Sequence, residues 1–254
     1  MTVRVSRRAL VGSLGAGAGG LILSGCDKIN AASPVQWLLG LGQDVTRRAQ
    51  RTVIDRFALA PEFKASDMSP VFRTNGNTMP NDPGYQAQAA RRFTDWKLVV
   101  GGLVARPLAL SLDDIRKMPS RTQITRHDCV EGWSAIGQWT GVPLKLILDM
   151  AAVRQGTRYI VFHCADDFDG DPYYESIDLI DAYHPQTILA WGMNGKMLEI
   201  GHGAPLRLRL ERQLGYKQAK FIMQIEAVNT LAAIGGGKGG YWEDAAGYQW
   251  YAGI

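Results

Sequence analysis

Hydrophobic and polar residues alternate most cleanly over Leu206-Arg207-Leu208-Arg209-Leu210. A strand turns successive side chains to opposite faces, so the three leucines share one face and Arg207, Arg209 and Glu211 share the other. Tyr159-Ile160-Val161-Phe162-His163 is a continuous apolar run, dense enough for a buried strand. Phe221-Ile222-Met223-Gln224-Ile225 is another, and Trp96-Lys97-Leu98-Val99-Val100 a third, closed by Gly101-Gly102. Thr122-Gln123-Ile124-Thr125 alternates and leads into a polar turn around Cys129. Helical signals are shorter. Ser111 precedes Leu112-Asp113-Asp114-Ile115-Arg116, which puts carboxylates in the first turn, where free N–H groups and the helix dipole favour them. Pro119 stops that helix. Pro143 opens a second over Leu144-Lys145-Leu146-Ile147-Leu148. Strands outnumber helices and their connections vary in length. The pattern therefore predicts an α+β chain with a mixed, β-rich sheet rather than a doubly wound parallel one.

The first residues are of another kind. Arg4, Arg7 and Arg8 form a basic start, and Leu10 to Leu23 is an apolar stretch diluted by glycine. It is shorter than the roughly 20 apolar residues a membrane span needs and reads as a signal peptide. The Arg7-Arg8 pair marks the twin-arginine kind, which exports proteins that have already folded and often accompanies a cofactor inserted before export. Leu23-Ser24-Gly25-Cys26 comes next and resembles a bacterial lipobox. Lipidation of Cys26 would supply the two or more acyl chains that stable anchoring needs. The expected location is the periplasmic side of a bacterial inner membrane. Removing Arg4, Arg7 and Arg8 from 28 Lys and Arg leaves 25, against 24 Asp and Glu. The exported chain is nearly neutral, and without a basic run or a nucleic-acid motif it reads as no nucleic-acid binder.

With Cys26 at the anchor, Cys129 and Cys164 remain, and in an oxidising compartment the plain reading of such a pair is a disulfide. Zinc is disfavoured: His127, His163, His184 and His202 show none of the spacings that place ligands around that metal. No C-x-x-C-H haem site is present, and no G-x-G-x-x-G stands after a strand. His202-Gly203-Ala204-Pro205-Leu206-Arg207 leads straight into the alternating strand, from which Arg207 projects a donor fork suited to a phosphate or a planar polar ring. Gly215-Tyr216-Lys217-Gln218-Ala219-Lys220 adds two lysines beside a glycine turn. Each of these basic residues alone is as readily a solvated surface charge.

Taken in order, Cys129, the stretch Tyr174-Glu175-Ser176, the Gly201 to Leu208 segment and the Gly215 to Lys220 segment resemble the molybdopterin-binding domain of the sulfite oxidase family, from about Val71 onward. The resemblance implies a molybdenum-molybdopterin cofactor with Cys129 as thiolate ligand to the metal. A soft thiolate suits such a metal, and ligation would keep it deprotonated. It further implies that His202 and Arg207 contact the pterin, that Lys217 and Lys220 lie at its phosphate, and that His127, Cys164, Tyr174 and Ser176 line the cofactor pocket. Cys129 is then in no disulfide, and Cys164 is a free thiol near the cofactor. The organisation expected is a signal over 1–25, an arm over 26–70 and a molybdopterin-binding catalytic domain over 71–254.

The family moves an oxygen atom between substrate and metal. In animal and plant sulfite oxidases Gly-Asn-Arg-Arg comes after the ligand cysteine, whereas here it is Val130-Glu131-Gly132-Trp133-Ser134. That resembles instead the catalytic subunit of periplasmic methionine-sulfoxide reductases, and it removes two arginines from where an anion would bind. Within Phe72-Arg73-Thr74-Asn75-Gly76-Asn77, Arg73 would suit an oxyanion and Asn75 a neutral sulfoxide; an Asn-Gly turn is the plainer reading. Tyr248 resembles the active-site tyrosine of sulfite oxidases. With no haem or dimerisation segment evident, the resemblance implies a small sulfur substrate and a separate electron-transfer partner, a cytochrome or a membrane haem subunit. The competing reading is a lipid-anchored binding protein that keeps the fold without redox activity.

Overall fold

A computed structural model describes Gly42 and residues 45–254. The signal, Cys26 and the first part of the arm, 26–41 with 43 and 44, lie outside the described residues. The chain divides into two compact units, 1–53 and 54–254. In the first, residues 45–53 are helical. The second unit carries the sheets and the candidate site.

Over residues 54–254 ten strands form two five-stranded sheets, accompanied by five short α-helices, which bears out the α+β expectation. The first sheet has β1 (Lys97–Gly102), β2 (Leu108–Ser111), β5 (Tyr159–Phe168), β6 (Asp171–Asp178) and β10 (Ile222–Val228) in the order β2-β1-β10-β5-β6. Only β1 and β10 run parallel in it, so the sheet is mixed. The second sheet is antiparallel: β3 (Arg121–Asp128), β4 (Ser134–Pro143), β7 (Ile188–Met193) and β8 (Lys196–Met197) in sequence, with β9 (Arg207–Arg209) also pairing β7. The helices are α1 (Pro83–Ala90), α2 (Leu112–Lys117), α3 (Leu144–Ala151), α4 (Leu179–Ala182) and α5 (Tyr241–Ala246).

Local chemistry explains the elements. Ser111 caps α2 by accepting from the Asp114 N–H at 3.1 Å while Asp114 accepts from the Ser111 N–H at 3.0 Å, a reciprocal capping box. Pro143 ends β4 and stands at the N-cap of α3, so the helix begins at Leu144, one residue later than the sequence placed it. Leu98, Val100, Phe162 and Ile225 are fully buried from the first sheet, and Trp139, Val142, Ile188 and Leu208 from the second.

Two elements position the site. Along β3, Gln123, Thr125 and His127 are the buried alternate set. The strand then turns over Cys129–Trp133, closed by the Cys129 N–H donating to the Trp133 carbonyl at 2.9 Å. Gly132 takes φ +84° there, a left-handed conformation that side chains resist. The second element is β9. Its charged face does not meet water: Arg207 and Arg209 are 2% and 0% exposed, and both guanidinium groups lie over the Trp139 ring, 4.9 and 4.3 Å from its centroid. The alternation was legible, but the polar face is buried against β3 and β4.

Candidate active site

Cys129 is 7% exposed and its thiol opens onto a cavity of about 160 Å³. Asn75, Asn77 and Glu131 line it on one side, and Tyr216, Trp242 and Tyr248 supply aromatic wall. Asn75 Nδ2 donates to Cys129 Sγ at 3.8 Å. Burial pushes the Cys129 thiol pKa up, partly offset by backbone donors and by Asn75. A free Cys129 is therefore a thiol, and a bound cation is what would hold it as thiolate.

Behind the thiol lies a buried polar network. Arg209 chelates Glu211 through Nε at 3.0 Å and Nη2 at 2.6 Å, and its Nη1 donates to His127 Nδ1 at 3.1 Å. Arginine cannot accept a hydrogen bond, so Nδ1 is the acceptor and the neutral ring carries its proton on Nε2. Burial and the two arginines push the His127 pKa down to about 2, so the ring is neutral. His127 Nε2 and Gln218 Oε1 are buried with no partner. Arg207 donates to the His202 and Gln218 carbonyls, at 3.0 and 3.4 Å, and its Nε is buried and unpartnered. Gly215 makes room for this arrangement: a Cβ there would sit 2.5 Å from the His127 ring.

The structure places the residues singled out in the sequence as follows. Arg73 is exposed and lines no part of the cavity, whereas Asn75 does. Lys217 is outside the cavity lining. It is fully buried and donates to both Glu175 and Glu243, at 2.6 Å for the latter. Lys220 lines the cavity, but its ammonium donates to the carbonyls of Asn75 at 2.7 Å, Gly201 at 3.1 Å and Asn77. Burial and Arg207 draw the Lys220 pKa down to about 7, against the pull of Asp166. Tyr174 and Ser176 face away from the cavity and tether the glycine-rich tail: Tyr174 donates to Asp244 and Ser176 to the Gly239 carbonyl. His202 packs edge-on against Phe72 at 5.8 Å and borders a separate depression. Cys164 is free and half-buried on β5, also outside the cavity lining. Burial pushes its pKa well up. Cys129 is free as well, so the two form no disulfide.

Other residues escaped sequence reading. Asp166, Phe168 and Tyr173 line the cavity from β5 and β6, and Arg209 orients His127. None stands in a motif; only the alternation of β9 could have pointed to Arg209. Asp166 is 4% exposed with Oδ1 unpartnered, and burial raises its pKa to about 6, against the pull of Asn77 and Lys220. A carboxyl raised from 3.8 gives stability that is present below pH 3.8 and lost as pH rises through about 6. Asp166→Asn is therefore expected to stabilise the cofactor-free protein at pH 8 by about 3 kcal/mol, with little effect near pH 4. Denaturant unfolding at the two pH values checks this; an equal effect at both removes the titration as its cause.

Compared with known proteins, residues 85–232 match the oxidoreductase molybdopterin binding domain family. The chain belongs to that family. It is 37% identical over 236 residues to a protein of Azospira oryzae provisionally named protein-methionine-sulfoxide reductase subunit YedZ1, covering 92% of this chain and 83% of that one. It is 36% identical over 165 residues to the protein-methionine-sulfoxide reductase catalytic subunit MsrP of Xanthomonas axonopodis pv. citri, and 35% over 144 residues to that of Campylobacter jejuni. Those alignments take in 61% and 52% of this chain and only 51% and 48% of the MsrP chains, about half their length. Among solved structures, the sulfane dehydrogenase SoxCD of Paracoccus pantotrophus matches over 54% of this chain and 39% of its own, at 22% identity and a TM-score of 0.49.

As a member of this family the protein is an oxidoreductase of the molybdenum cofactor. The site suits that group. Among the described residues no three His, Cys, Asp or Glu side chains converge on one point. Cys129 offers this cavity a soft sulfur donor of the kind that such a cofactor would use. Arg207 lines the cavity and its unpartnered, buried Nε is a donor of the kind a polar ring or phosphate needs, whereas His127 stands behind the lining, beside Arg209 and Gln218.

Proposed function

We propose that this molybdopterin oxidoreductase is a methionine-sulfoxide reductase catalytic subunit, exported and anchored through Cys26, that takes electrons from a separate cytochrome or membrane haem partner. One observation carries the choice of substrate: Asn75, not Arg73, stands against Cys129. The cavity's cations are Arg207 and Lys220, and Lys220 spends its three donors on carbonyls. Glu131 and Asp166 add carboxylates to the wall. Such a site holds two cations against two carboxylates, so it offers a sulfite anion no net positive field, and it suits a neutral sulfoxide. The names of the relatives support the same reading. The twin-arginine pair and the Leu23 to Cys26 segment support export and anchoring.

Cys129 is the proposed ligand to the metal, Arg207 would supply a donor to the pterin, and His127 would support that wall through Arg209. When bound, the cofactor supplies the two-electron couple for oxygen-atom transfer. Reduction of a sulfoxide consumes two electrons and two protons and releases a thioether and water. The amide of Asn75 gives a donor for the sulfoxide oxygen, and Trp242, Tyr216 and Tyr248 give apolar surface for the substrate's carbon groups.

Turnover with artificial electron carriers tests the reading. Methionine sulfoxide reduction is expected to exceed sulfite oxidation in kcat/KM, and faster sulfite oxidation would overturn the assignment. Asn75→Asp replaces the donor with a charge and is expected to lower kcat/KM for the sulfoxide roughly 100-fold.

A further inference from the structure

We propose that Lys220 is a positioning residue whose ammonium clamps the 75–77 loop to the Gly201 turn and so holds Asn75 against Cys129. An ammonium has three donors and no acceptor. Here the donors go to the carbonyls of Asn75, Asn77 and Gly201, which belong to two chain segments far apart in sequence. Lys220 is 9% exposed, so these are contacts of a buried group. Its path is built in: Gly203 has φ +103°, and a Cβ there would come within 2.9 Å of the Lys220 Cβ.

The loop has a second anchor on its far side. Asn77 Nδ2 donates to the Asp167 carbonyl at 2.7 Å and lies 3.4 Å from Asp166 Oδ2. Between these anchors the Asn75 side chain reaches Sγ. Its hydrogen bond to sulfur is long, so a small shift of the loop ends it. Lys220 thus acts on the reacting centre through Asn75 and has no donor left for a cofactor phosphate.

Lys220→Met keeps the side chain's bulk and removes the donors. It is expected to keep the same molybdenum content per chain as the unaltered protein. Its Mo(V) electron paramagnetic resonance signal should shift in the same way as in Asn75→Ala. Its KM for substrate should rise roughly 10- to 100-fold through misplacement of Asn75. Adding Asn75→Ala to Lys220→Met should then cost less than about two-fold more, because the two residues act as one unit. Loss of molybdenum in Lys220→Met, or independent and multiplying effects of the two changes, overturns the proposal in favour of a phosphate contact. Should Lys220→Met fail to fold, Asn77→Ala loosens the other anchor of the same loop. It is expected to give the same spectral shift at full molybdenum content, and an unchanged spectrum there overturns the proposal. Metal content and spectrum do not depend on which sulfur compound is the substrate, so failure here is separable from failure of the sulfoxide reading.

Discussion

Cys129→Ala is expected to abolish turnover, by at least about 1000-fold or roughly 4 kcal/mol of activation free energy, while leaving the fold in place. Cys129 sits in the β3–β4 turn, and its side chain faces the cavity rather than the packed core. Losing Sγ removes few packing contacts, so the stability cost should stay near about 1 kcal/mol. The functional cost is large because no other thiol among the described residues can substitute: Cys164 is on β5, outside the cavity lining, with its pKa pushed well up. Thermal unfolding and steady-state kinetics on one preparation separate the two effects. An active Cys129→Ala protein contradicts the assignment of the ligand.

Lys217→Met is expected to cause the largest loss of stability, about 3–5 kcal/mol, because it leaves two carboxylates buried without their counter-charge. Glu175, Glu243 and Lys217 are at most 1% exposed. Glu175 Oε2 and Glu243 Oε2 have no partner even in the intact cluster. Burial, with Glu243 adding to it, pushes the Glu175 pKa well up against the pull of Lys217. Removing the ammonium removes that pull. The cluster ties β6 to α5 and to the short 3₁₀ turn at Gly215–Lys217. It stands directly behind Tyr216 and Trp242, which line the cavity, so the variant should also lose substrate affinity. Combining it with Glu243→Gln, which removes one of the stranded charges, is expected to recover part of the stability. Guanidinium unfolding checks both statements, and a Lys217→Met midpoint equal to the unaltered protein's would refute the cluster's role.

How far the sequence could be read depended on whether side-chain direction was encoded in it. The alternation of Leu206 to Leu210 placed Arg207 and Arg209 on one face, and the structure keeps them there. The fate of that face was not encoded, because its cover, Trp139, comes from β4. That strand went unread since Gly137 and Gly141 interrupt its apolar pattern. Both glycines answer to neighbours distant in sequence: a Cβ at Gly137 would meet the Phe72 ring at 3.1 Å, and one at Gly141 the Leu189 carbonyl at 2.2 Å. Lys217 and Lys220 stand three residues apart in one motif yet serve different buried partners. Those partners, Glu175 and Glu243 for one and the 75–77 loop for the other, are separated from them by 26 to 145 residues. Order along the chain made Cys129 and Arg207 legible as cavity residues. It could not distinguish a lysine that binds a ligand from one that holds the protein together.

Binding of the metal by the Cys129 sulfur in this cavity is the centre on which the other assignments depend. X-ray absorption at the molybdenum edge, comparing the intact protein with Cys129→Ser, tests it most directly. The serine variant is expected to lose a single sulfur neighbour of the metal and keep the rest. An unchanged sulfur shell in Cys129→Ser would contradict it.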